Sequence, residues 1–132
     1  MVSRALRYAI VLVSILIALG HTWWAQIIFR SAMIGGYFLI ATILFLVGGV
    51  LAWRTSGAWF RFANLGLILL AILDNALIYY TRTVPSMLSM GRVFSWSAGW
   101  WPTGAVQVFV AQSLLIVLSG YALLRGESAG SA

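Results

Sequence analysis

The 132 residues are 63% hydrophobic and 8% charged, far below the roughly 25% charge of an ordinary soluble domain, so water is not the main solvent of this chain. All eight basic residues are arginines set singly at the ends of apolar runs; the net charge of +6 forms no nucleic-acid patch and reads as topological marking. With no cysteine, disulfides, thiolate metal sites and a thiol nucleophile are excluded.

Arg4 and Arg7 precede an apolar run that gives a first span at about 8–29. It is longer than the roughly 7 to 15 residues of a signal-peptide core. It ends in Thr22-Trp23-Trp24 rather than a small-residue cleavage site, so it is read as a retained helix. Further spans are expected at 33–53, 62–80 and 105–124, each near the roughly 20 residues needed to cross a hydrocarbon core. The first two links are short and predict antiparallel neighbours.

The third link, 81–104, differs. Pro85, Gly91, Gly99 and Pro102 break any continuous helix, while Met87, Met90 and Phe94 fall on one side of a short helix. A short interfacial helix is expected there, with Trp96, Trp100 and Trp101 as anchors toward a partner or the membrane interface. The small, polar stretch 126–132 is expected to be a flexible tail.

The fold class that follows is all-α: a single membrane domain over 1–132, an integral membrane four-helix bundle with up-down-up-down topology. Placing the N-terminus inside puts Arg4, Arg7, Arg54, Arg61 and Arg125 on the cytoplasmic side and Arg30, Arg82 and Arg92 outside. That balance favours a multi-pass protein of the plasma membrane with both termini cytoplasmic.

The second helix from the end of this count carries the informative residue. Asp74 sits inside the third apolar run, where an ionised carboxylate costs several kcal/mol unless it is paired, solvated or protonated. Counting inward from the arginine nearest the cytoplasmic end of each span, His21 lies fourteen residues from Arg7, Thr42 twelve from Arg54, Asp74 thirteen from Arg61 and Gln112 thirteen from Arg125. At about 1.5 Å per residue, all four stand about 18 to 21 Å above their markers. An intramembrane polar layer of His21, Thr42, Asp74, Asn75 and Gln112 is therefore expected, with His21 and Asp74 in contact.

Helical spacing turns these residues toward the bundle centre. Ser14, Ala18, His21 and Ala25 form one stripe, Gly35, Thr42 and Gly49 a second, Asn64, Ala71 and Asn75 a third, and Gln112 and Ser119 a fourth. Such a layer can serve as hydrogen-bonding glue that fixes helix register, or as a site where a proton or substrate is held.

Little else offers chemistry. The two acids, Asp74 and Glu127, are far apart in the chain, no Gly-rich phosphate loop or Ser/His/Asp set occurs, and one histidine cannot supply both axial ligands of a bis-histidine haem. No catalytic residue, metal site or cofactor of its own is expected; contact with a quinone or haem would come through a partner. The expected role is a small non-catalytic integral membrane subunit, an accessory or structural component of a larger assembly such as a respiratory or electron-transfer complex, and not an enzyme. Its partners would be membrane lipids and other membrane subunits, or a second copy, and not nucleic acid. The alternative is a small homodimeric transporter, coupled to a proton or cation through Asp74.

Overall fold

The computed structural model describes the backbone of residues 2–28, 32–83 and 103–130, and the side chains of 2–22, 36–79 and 106–126. It contains four helices and, among the described residues, no strand: α1 Arg4–Ile28, α2 Ala32–Arg54, α3 Gly57–Thr83 and α4 Thr103–Gly130. Each includes a stretch long and apolar enough to cross a membrane. The helices exceed the expected apolar spans because intrahelical bonding can continue past the hydrocarbon boundary. Thus α4 carries on to Gly130, into the stretch expected to be a flexible tail. The expected interfacial helix, with Trp96, Trp100 and Trp101, falls in 84–102, outside the described residues.

The helix ends have identifiable caps. At the start of α1 the Ser3 hydroxyl accepts from the Leu6 amide at 3.2 Å, which satisfies one of the free donors of the first turn. At the end of α2, Arg54 lies in the last turn, where a cation complements the helix dipole. The chain then reverses through Thr55 and Ser56 into Gly57, whose φ of 61° lies in the left-handed region that glycine enters without a Cβ penalty.

Arg7 secures this turn from α1. Its Nη1 donates to the carbonyls of Ala52 at 3.1 Å, Trp53 at 3.3 Å and Thr55 at 2.7 Å, and its guanidinium stacks 4.5 Å from the centroid of Phe60. Carbonyls that have no partner within α2 thus find one on a neighbouring helix.

Contacts join α1 to α2, α2 to α3, α3 to α4 and α4 to α1, so the helices close a ring. Its inside is built of small and polar side chains together with a few large apolar ones. Ser14, Ala18, His21, Asn64, Ala71, Asp74, Gln112, Ser119 and Ala122 are buried, beside Ile10, Ile17, Phe45, Leu67 and Leu115. The outside carries Leu12, Leu16, Leu19, Leu39, Ile40, Leu69, Leu73, Val117 and Leu124, all exposed. A water-soluble domain of this size would not leave so much apolar surface uncovered, whereas small and polar residues at helix contacts are what membrane bundles use. The four helices fit a multi-pass membrane protein.

Close approach between helices depends on missing side chains. A Cβ on Gly49 would stand 2.7 Å from the Ser14 Cβ and 3.6 Å from the Val11 Cα, so α1 and α2 pack backbone against backbone there. A Cβ on Gly48 would meet Leu67 at 2.7 Å, and one on Gly20 would meet Val108 at 2.8 Å. These three positions bring α1 toward α2, α2 toward α3, and α1 toward α4.

Candidate functional site

The polar residues meet at the centre of the bundle. His21 Nε2 lies 2.9 Å from Asp74 Oδ2, with the two side chains only 1% and 2% exposed. This bond joins α1 and α3, which are not neighbours in the ring, and so crosses its middle. The other carboxylate oxygen, Oδ1, accepts from the hydroxyl of Tyr37 on α2. Asp74 is therefore held from two helices at once.

The second imidazole nitrogen defines the proton arrangement. Nδ1 lies 2.8 Å from the carbonyl of Ile17, one turn earlier in α1, and a carbonyl can only accept, so Nδ1 carries a hydrogen. One further proton then lies between Nε2 and Oδ2. It belongs either to an imidazolium facing a carboxylate or to a carboxylic acid facing a neutral imidazole, and both forms make the same set of bonds. The ring itself lies against Phe38 and Phe45, at centroid distances of 5.6 and 5.4 Å. Two aromatic rings from α2 thus pack on the imidazole.

Asn75, next in α3, begins a second cluster. Its Oδ1 accepts from Gln112 Nε2 at 2.6 Å, and its Nδ2 donates to Ser113 Oγ at 3.2 Å, with the Phe109 carbonyl at 3.4 Å. The Ser113 hydroxyl in turn donates to Phe109 at 2.8 Å within α4. Gln112 thus joins α4 to α3 at the residue next to Asp74.

Four of the five residues expected in the layer thus bond across helices in two adjoining clusters, His21 with Asp74 and Asn75 with Gln112. Thr42 does not reach Asp74. Its hydroxyl donates to its own helix at Phe38, 2.8 Å away, with the Ala18 carbonyl of α1 at 3.5 Å. A threonine inside a helix readily bonds back to the carbonyl four residues earlier, and this local partner competes with any at the same depth. The residue that takes its place is Tyr37, absent from the expected layer because its Cα lies nearer the other end of α2; a phenol reaches further along the bundle than a count of Cα positions allows. The available signal was a tyrosine inside an apolar span, since a buried hydroxyl needs a partner.

Among the described residues, three buried polar atoms have no hydrogen-bond partner: Gln112 Oε1, Asn64 Oδ1 and Ser119 Oγ. All belong to α3 and α4. Asn64 lies toward the end of α3 that packs with Arg7 and Phe60, and its Nδ2 donates to the Phe60 carbonyl at 2.9 Å. Among the described residues, no three His, Cys, Asp or Glu side chains converge where they could hold a metal ion. What the arrangement offers chemically is hydrogen bonding across four helices and one proton shared by an acid and a base. In comparisons with protein-family models, curated proteins and solved structures, nothing matches this chain.

Proposed function

We propose that the chain is a small non-catalytic subunit of a larger membrane assembly, of the kind found in respiratory or electron-transfer complexes, in which the His21–Asp74 layer fixes the bundle's register. The observation that carries this is the closure of the pair: each ring nitrogen and each carboxylate oxygen has a protein partner, and aromatic rings flank the imidazole. Groups so fully engaged hold helices together and leave little for a substrate to displace.

In this role the helices run up-down-up-down. Supporting that topology, low-numbered residues of one helix meet high-numbered residues of the next: Arg7 meets Thr55 and Thr42 meets Ala18. Likewise Tyr37 meets Asp74, Phe60 lies against Gly126, and Asn75 meets Gln112. Both termini then lie at the end that carries Arg4, Arg7, Arg54, Arg61 and Arg125, which the positive-inside rule assigns to the cytoplasm of a plasma-membrane protein. Mild solubilisation followed by native mass measurement tests the role. Recovery in fixed stoichiometry with larger membrane subunits is expected, and an absorption spectrum of the same preparation reports any haem brought by them. Recovery of the chain alone, or only with copies of itself, would count against it.

The second role, a homodimeric proton- or cation-coupled transporter using Asp74, is favoured by one observation. Gln112 Oε1, Asn64 Oδ1 and Ser119 Oγ are buried acceptors or donors without partners among the described residues, distributed from the polar layer toward the arginine-rich end. Buried polar atoms of this kind are the usual sites of internal water, and water next to an acid–base pair can carry a proton. Purified protein in liposomes under an imposed pH gradient decides this role: proton entry that disappears in Asp74→Asn supports it, and flux equal to empty liposomes removes it.

A further inference from the structure

We propose that the groove between α2 and α3 binds one acyl chain of an anionic phospholipid from the leaflet at the arginine-rich end of the bundle. The inference rests on the membrane reading of the four helices and is independent of what the assembly does. The groove encloses about 330 Å³ and is almost wholly apolar, with Leu44, Gly48 and Leu51 on one wall and Trp59, Gly66 and Leu70 on the other. One absent side chain, that of Gly66, leaves it open. Leu67 lies in the notch left by Gly48, and nothing stands within 4 Å of where a Cβ of Gly66 would be.

Its length identifies the occupant. From Trp59 to Leu70 the groove follows eleven residues of α3, about 16 Å at 1.5 Å per residue, which matches one leaflet, half of a hydrocarbon core of about 30 Å. The lining of the groove ends at Leu70, and one turn further along the hydrogen bond from Tyr37 to Asp74 ties α2 to α3 inside the bundle. A transmembrane helix from a partner or a second copy would pack along both leaflets, whereas this groove runs along one. A single lipid chain needs only this slot.

The mouth identifies the headgroup. Trp59, 67% exposed, stands at the open end, where an indole places its ring in the interface and its N–H toward water. Arg54 ends α2 next to the Thr55–Ser56 turn, its guanidinium 4.6 Å from the centroid of the Trp53 ring, and Arg4, Arg7, Arg61 and Arg125 lie at the same end of the bundle. Against these five arginines the end of the chain offers one acid, Glu127. An anionic phosphate headgroup complements this charge, and a zwitterionic one does so less.

The test reconstitutes the protein in vesicles of equal phosphatidylglycerol and phosphatidylcholine, extracts it in mild detergent and measures bound lipid by native mass spectrometry. Wild type is expected to retain one phospholipid, enriched roughly fivefold in phosphatidylglycerol, the ratio that about one arginine at a membrane surface supplies. Gly66→Leu fills the groove without a backbone clash and should lose the bound lipid; Arg54→Gln should keep a lipid and lose the preference. An independent measurement on wild type is quenching of Trp59 by lipids brominated along the chain, taken as the difference from Trp59→Phe. Retention of lipid by Gly66→Leu, equal retention of both headgroups by wild type, or a detergent-stable dimer that Gly66→Leu dissociates would each overturn the proposal. Recovery of the chain outside the membrane fraction would instead overturn the reading beneath it.

Discussion

His21 and Asp74, 53 positions apart in the chain, meet at 2.9 Å across the middle of the helix ring. Because Tyr37 holds the other carboxylate oxygen, the single acid inside the apolar spans ties three helices at one point. A charged or protonated carboxyl with these partners is satisfied, and removing any partner leaves a buried polar group without one.

Two substitutions at Asp74 separate hydrogen bonding from charge. Asn can donate to His21 Nε2 and accept from Tyr37, so Asp74→Asn should change stability by less than about 1 kcal/mol. Leu can do neither, and Asp74→Leu should cost about 3 kcal/mol. Thermal unfolding in a fixed detergent measures both; equal losses would show that charge, rather than bonding, is what the site needs.

Tyr37→Phe removes one hydroxyl and keeps the ring against Phe38, whose centroid is 5.5 Å away. The carboxylate oxygen it served is left without that donor, for an expected loss of about 1 to 2 kcal/mol. In an Asp74→Leu background the same change should be nearly neutral, which a double-mutant cycle would detect.

Gly49 and Gly36 lie on the same helix and should respond in opposite ways to alanine. At Gly49 the new methyl meets Ser14 and the α1 backbone, so the helices must part at a cost of about 1 to 3 kcal/mol. At Gly36 nothing lies within 4 Å, and no loss is expected. Comparing unfolding midpoints of the two variants checks the close approach directly.

At the α2–α3 turn, Gly57→Ala should destabilise by about 1 kcal/mol although its new methyl meets nothing, because the φ of 61° is strained for any residue with a Cβ. Gly57→Asn should lose less, since asparagine tolerates this conformation better. Unfolding of the pair in the same detergent distinguishes backbone strain from packing.

The helices and the meeting of His21 with Asp74 were legible in the sequence for the same reason. A helix rises by a fixed amount per residue, so apolar run lengths give spans, and distance from a terminal arginine gives depth. Depth alone does not say where a side chain points or how far it extends. Thr42 stands at the expected level and bonds within its own helix, while Tyr37 starts from another level and reaches Asp74. Arg7 likewise reads in the sequence as a charge marking a boundary. Its bonds to Ala52, Trp53 and Thr55 depend on how the α2–α3 turn is oriented in space, which no local pattern encodes.

The Arg7 clamp has a consequence for how the chain is made. Its carbonyl partners leave the ribosome with the end of the second helix, but Phe60, the ring it stacks on, arrives only with the third. Until then the guanidinium has the carbonyls of the turn without the ring. Arrival of the third helix completes the seat, so one arginine of the first helix couples the first hairpin to the third helix.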